Sequence, residues 1–172
     1  MYNNFAKYCL SKGSVIRPLN FPLKDKEYIG TCNPSIFFDG GRLRMIIRRV
    51  NYALWNSDNE YRFTTQYGPL WYITGNDKHQ LKTINYLCEI DNSGVLSYKL
   101  INTSKLDKEP IWEFVGLEDA RLVRWDGKLY GTGVRRDTTT NGQGRMELSE
   151  LDEDGNQEKQ HVHYSISKTI IW

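Results

Sequence analysis

The stretch NPSIFFDGGRLRMIIRRV (33–50) returns later in the chain as DARLVRWDGKLYGTGVRR (119–136). The match sets Pro34 against Ala120, Ile36 against Leu122, Gly41 against Gly127, Arg42 against Lys128, Leu43 against Leu129 and Arg49 against Arg135, at one constant offset. Further on, CEIDNSGVLSY (88–98) is answered by SELDEDGNQEK (149–159), with Asp91 and Gly94 opposite Asp152 and Gly155. Each copy therefore holds the same parts in the same order: a strand, a tight glycine turn, a second strand, a connection, a third strand, an Asp-x-x-Gly turn and a fourth strand.

The runs between these turns are short, rich in β-branched and aromatic residues, and bounded by Asp-Gly, Ser-Gly or Asn-Gly, which predicts an all-β fold. Helical periodicity is confined to NNFAKYCL near the start, which predicts about two helical turns. Four antiparallel strands per repeat describe one blade of a β-propeller. On this reading residues 1–32 form an N-terminal lead-in and residues 33–102 a first blade. That blade is swollen by a loop from Asn51 to His79 carrying Trp55, Trp71 and several tyrosines. Residues 118–167 form a second blade, and SKTIIW leads into a third at 168–172. The competing arrangement is a β-sandwich whose turns resemble each other by coincidence. Two blades cannot close a ring, and an unclosed blade leaves a row of unpaired backbone groups. The sequence therefore predicts missing blades, supplied by the rest of a longer chain or by self-association, in an incomplete five-bladed propeller.

Composition narrows the function. The 172 residues are 39% hydrophobic and 13% aromatic, enough for a sizeable core, and a formal net charge of +2 gives no global field favouring nucleic acid or an anionic membrane. Cys9, Cys32 and Cys88 are odd in number and lack CxxC spacing, so the sequence signals neither a disulfide framework nor a zinc site. No window has the length of a membrane span or a signal-peptide core. The expectation is a soluble, cytoplasmic protein without metal or resident cofactor.

Asn33 and Asp119 occupy the same repeat position, at the head of an innermost strand, where side chains from neighbouring blades reach one channel mouth. Strict strand alternation puts Asp119 and Arg121 on one face and Glu118 on the other. Arg48 and Arg49 leave opposite faces of their strand, as do Arg135 and Arg136, so one of each pair should face the site. Converging guanidinium groups suit a phosphate or carboxylate, because their fork binds two oxygens at once; the other possibility is that they pair with Glu118, Asp137 and neighbouring carboxylates. His161 and His163 alternate onto one strand face without a third ligand and read as a surface pair. Trp55, Trp71, Tyr67 and Tyr72 could stack on sugar rings or lie buried beneath the long loop. NGQG, from Asn141, is a hairpin turn.

Together, NPSIFFDGGRLRMIIRRV resembles the first-blade motif, and GLEDARLVRWDGKLYGTGVRRD (116–137) the Glu-Asp-Pro-Arg motif, of glycoside hydrolase family 130, five-bladed propeller enzymes that act on β-mannosides. The likeness runs from about Asn33 to Asp137. It implies an inverting glycoside phosphorylase or hydrolase whose partner is an oligosaccharide or glycan, with inorganic phosphate as a possible co-substrate. Asp119 would be the general acid, acting through a sugar hydroxyl. Arg49 would hold the phosphate or the sugar, Asn33 would contact the sugar, Arg121 would orient Asp119, and Arg135 would join the substrate- and phosphate-binding set. Attack from the face opposite the acid inverts the anomeric centre. Ala120 stands where the family motif has proline, and the family's further phosphate-binding residues lie in later blades. Two alternatives follow from the same residues. One is a non-catalytic glycan-binding or scaffold propeller, of the kind associated with glycosyltransferases. The other is an arabinanase- or invertase-like glycosidase, needing a second carboxylate for which Asp137 and Glu113 are the candidates.

Overall fold

The structure is a computed structural model and describes residues 2–15, 17–22, 27–55, 65–67, 70–74, 80–105, 107–138 and 142–163. It opens with one helix, α1 (Tyr2–Ser11), where two turns are expected from the sequence. Among the described residues every other element is a strand.

The first sheet is built by β1 (Gly30–Asp39) and β2 (Arg42–Val50), then, beyond an excursion, by β6 (Leu81–Asp91) and β7 (Gly94–Leu100), hydrogen-bonded in the order β1-β2-β6-β7. The second consists of β9 (Leu117–Trp125), β10 (Lys128–Arg135), β11 (Arg145–Leu151) and β12 (Gln157–His163), in the order β12-β11-β10-β9. Both are antiparallel up-and-down meanders. The repeat seen in the sequence is thus a repeat of sheets, although neither sheet closes on itself. Turn chemistry matches too. Gly40 and Gly41 (φ 55° and 91°) join β1 to β2, and Asp126 and Gly127 (φ 47° and 74°) join β9 to β10, the paired left-handed conformations that two-residue hairpins need. Asp91 accepts the backbone N–H of Ser93 and Gly94 in the β6–β7 turn, and Asp152 those of Asp154 and Asn156 in the β11–β12 turn.

Three boundaries differ from the sequence reading. β1 starts at Gly30 rather than Asn33, because Gly30 to Cys32 continue the ladder against Arg48 to Val50. The Asn51–His79 stretch is not all loop: β3 (Tyr52–Trp55), β4 (Thr65–Tyr67) and β5 (Leu70–Thr74) pair there as a small sheet in the order β3-β5-β4. A short β8 (Phe114–Val115) precedes the second sheet and pairs in parallel with Leu81 and Lys82 at the start of β6, stitching one sheet to the other. Residues 164–172, where the second blade would end and a third begin, lie outside the described residues.

The sheets pack on each other through Ile46 and Leu87 of the first and Leu117, Ala120, Leu122, Leu129 and Leu151 of the second, all buried. Each of the leucines and the isoleucine contributes about 2 kcal/mol on leaving water. Ala120 is flush in this core, and its small size lets β9 approach the first sheet. At the other end of the interface, Asp39 accepts a two-pronged contact from Arg124 (2.5 and 2.8 Å) and pairs with Arg44 (3.3 Å), while Glu153 bridges the same two arginines at 2.8 Å each. Alternation within the strands directs these charges to the sheet junction. A further cluster, Val50, Tyr52, Leu81 and Phe114, lies where the excursion meets β8.

Candidate functional site

The strands β1 and β9 break their ladders at the equivalent place. The register of β1 on β2 shifts between Cys32 and Ser35, and that of β9 on β10 between the partners of Thr132 and Val134, so Asn33–Pro34 and Asp119–Ala120 are bulges. Asn33 (φ 49°) and Asp119 (φ 52°) adopt left-handed backbone, which short polar side chains tolerate better than most. The two bulges meet: the Asn33 amide donates to Asp119 Oδ1.

The bulge overturns the alternation argument. With one residue extra, Glu118 and Arg121 fall on the same face of β9, opposite Val134 and Thr132, and Asp119 is turned towards the first sheet. Glu118 therefore joins the site instead of the framework. Arg121 donates to the Ala120 carbonyl at 3.2 Å, and it acts on Asp119 through charge rather than contact.

Arg48, on β2, is the hub. Its Nη1 donates to Asp119 Oδ1 at 2.8 Å, and its Nη2 lies 2.8 Å from both Glu118 Oε1 and the Tyr52 hydroxyl and 3.1 Å from Thr83 Oγ1. Arg136 Nε meets the other Glu118 oxygen at 3.0 Å and its Nη1 the Gly142 carbonyl at 3.1 Å. A cleft of about 580 Å³ opens beside this network. Asn33, Arg48, Glu118 and Arg136 line it together with Tyr52, Tyr72 and Phe114. Tyr72 stands edge-on to Tyr52 (5.4 Å between ring centres) and to Phe114 (5.1 Å).

The electrostatics follow from these contacts. Burial pushes the Asp119 carboxyl up, but the Asn33 amide and the Arg48 guanidinium outweigh it and hold Asp119 below the usual carboxylate range. Burial pushes the Tyr52 hydroxyl up to about 12 against the opposing pull of Arg48, so it stays neutral and accepts the Arg48 N–H. The Cys32 thiol is also raised, by burial first and then by the nearby carboxylates. At neutral pH the site is thus an ionised Asp119, half-exposed, backed by a buried cation.

Asn33 and Asp119, matched in the sequence, are in direct contact. Arg49 and Arg135 are placed elsewhere. Arg49 leaves the opposite face of β2 and donates to the Tyr28 carbonyl. Arg135 is buried among Glu147 (2.6 Å), Asp137 (3.1 Å) and Asp107 (3.1 Å). The Asp137 carboxylate accepts the Gly116 N–H at 2.9 Å and is raised by burial, which fits it for bracing the entry to β9. Arg48 and Arg136, the other member of each pair, hold the cleft. Tyr52 and Thr83 carried no motif, and only the fold brings them to Arg48. Among the described residues no group of three or more His, Cys, Asp or Glu could hold a metal ion, and no helix is long and apolar enough to cross a membrane. No protein-family model, no curated protein and no solved structure matches the chain.

Proposed function

We propose that this chain supplies two neighbouring blades of a five-bladed β-propeller resembling glycoside hydrolase family 130, and that it acts on a β-mannoside-like glycan as an inverting phosphorylase or hydrolase. The observation that carries the reading is the Asn33–Asp119 pair, set by twin bulges on adjacent inner strands next to an aromatic-walled cleft. A carboxylate and an amide side by side offer acceptors and donors to vicinal sugar hydroxyls, and the Tyr52–Tyr72–Phe114 wall offers ring faces and edges to the apolar side of a pyranose.

In this proposal a sugar hydroxyl docks on Asp119 and relays its proton to the glycosidic oxygen, while phosphate or water attacks from the opposite face. The proton must first be present. In the free site Arg48 and Asn33 keep Asp119 ionised, so the competent form gains population as pH falls, and a glycan lying over the carboxylate assists by removing it further from water. Activity is therefore expected to rise towards acidic pH.

Turnover of a manno-oligosaccharide panel, with and without inorganic phosphate, tests the reading. Wild type should release sugar or sugar phosphate, and Asp119→Asn should lose at least about a hundredfold in kcat while keeping its fold, as expected for removal of a general acid. Undiminished turnover by Asp119→Asn would overturn the assignment. The depressed pKa of Asp119 also favours a second reading, a glycan-binding site without catalysis. The same panel separates the two, because saturable binding with no product supports recognition alone.

A further inference from the structure

The cleft beside the Arg48 network carries its charge in one place. Among the described residues that line it, the charged ones are Arg48, Glu118 and Arg136, and Glu118 is bonded to both arginines. The strand register orders the rest. Cys32 lies opposite Arg48 and Gly30 opposite Val50, so the lining runs back along β1 from Asn33 to Ile29, about 13 Å of extended chain. Beyond Val50 the lining continues on β3: Tyr52 reaches back to Arg48 with its hydroxyl, and Leu54 stands two residues further on, paired in register with Tyr72 of β5. With distance from Arg48 the lining thus passes from ionic groups to the hydrocarbon of Val50, Leu54 and Ile29.

Ile29 and Leu54 are 63% and 54% exposed although both line a concavity. Single exposed aliphatic side chains are ordinary on a protein surface. These two are continuous with buried Val50 and Phe114, and with the place where Asn33 and Asp119 meet. The 580 Å³ of the cleft is more than one pyranose ring fills. A second sugar ring laid on Ile29, Val50 and Leu54 would turn hydroxyls towards aliphatic side chains, losing water without gaining hydrogen-bond partners. A hydrocarbon group has no such cost and gains by leaving water.

We propose that the cleft takes a glycoside with an apolar aglycone, an alkyl, isoprenoid or aryl group, whose sugar meets Asn33 and Asp119 and whose hydrocarbon lies along Val50, Leu54 and Ile29. The inference rests on the glycan reading of the site and adds to it what stands on the other side of the glycosidic bond.

NMR titrations of the full chain with methyl, hexyl and phenyl β-mannoside, each kept below any micelle concentration, test it. Hexyl β-mannoside should bind at least about thirtyfold more tightly than methyl β-mannoside, the gain expected when roughly half of its five added methylenes leave water. Its chain should also show NOEs to the Ile29 and Leu54 methyl groups. Ile29→Asn combined with Leu54→Asn should cut the hexyl-to-methyl ratio to about threefold or less, because the added amides keep water on the wall; circular dichroism verifies that the fold is kept. A gain confined to the hexyl glycoside assigns a chain and one confined to the phenyl glycoside an aryl group, and either supports the apolar subsite. Equal binding of all three glycosides, or an apolar gain that survives the double variant, would overturn the subsite while the glycan reading stands. Absence of binding by all three would overturn both.

Discussion

Arg48 holds more of the site than any other side chain. It lies buried on β2 and ties Asp119, Glu118, Tyr52 and Thr83 together across both sheets and the excursion. Arg48→Met keeps much of the volume and removes the charge, leaving two carboxylates near each other without their shared cation. A loss of about 3 kcal/mol is expected, as for breaking a buried pair from one side, measurable by urea denaturation. The same variant should raise the pKa of Asp119 and, since Arg48 opposes the upward push of burial on Tyr52, raise the Tyr52 hydroxyl further; carboxyl and ring carbon titrations by NMR read both. The sign in wild type is fixed. Because the folded-state pKa of Asp119 lies below its unfolded value of about 3.9, its stabilising contribution is complete above that pH and fades as pH falls through the folded value. Of this hub the sequence marks Asp119 and offers Arg48 only as one of two adjacent arginines, with Glu118 as a possible partner; Tyr52 and Thr83 are not marked at all. The arginines common to both repeats, Arg49 and Arg135, serve the framework, whereas Arg48 and Arg136 stand where the other repeat has Val134 and Val50. The repeat singles out the Asn33–Asp119 pair at the shared bulges, while the arginines around it are ones the two sheets do not share.

At the level of elements, the meander was legible from turn spacing: DGG, WDG and the two Asp-x-x-Gly turns fix where each strand ends. The phase within a strand was not. Alternation counted through Glu118, Asp119 and Arg121 fails because Asp119 occupies a left-handed bulge, and a bulge inserts one residue without altering the composition of the run. Its trace in the sequence is faint: a short polar residue near the start of β1 and of β9 at matched positions. The run LWYITG already reads as strand and is β5, but β3 and β4 were hidden for another reason, since among the described residues the three excursion strands pair with one another and have no counterpart in the second repeat. Two variants probe the junction between the sheets. Asp39→Asn removes the charge between Arg44 and Arg124 and should cost about 3 kcal/mol at neutral pH. Chiefly through its hydrogen bonds from Arg124, Asp39 is held below the usual range, so wild type should lose this stabilisation below about pH 4 and the variant should show a weaker acid dependence there. Gly116→Ala, at φ 102° where a Cβ would lie 2.2 Å from the Thr83 carbonyl oxygen, should cost at least about 2 kcal/mol by thermal or urea unfolding.

On the scale of the whole molecule, one core cluster joins the two sheets, a second, of Met45, Ile47, Cys88 and Ile90 with Phe21 packed against it, lies on the far face of the first sheet, and the cleft lies beside the Arg48 network. In the propeller proposal, further blades would deepen the cleft and bring whatever cations hold a phosphate, since within this chain Arg49 and Arg135 are committed elsewhere. The account turns on Asp119 as the group that meets the sugar. The most direct measurement is the carboxyl titration of Asp119 by NMR in the free protein and with a saturating manno-oligosaccharide. The account predicts a depressed pKa in the free protein that rises when the glycan is bound, together with a shift of the Asn33 side-chain amide signals. An Asp119 resonance and pKa unchanged by a glycan that binds elsewhere, or no binding at all, would contradict it.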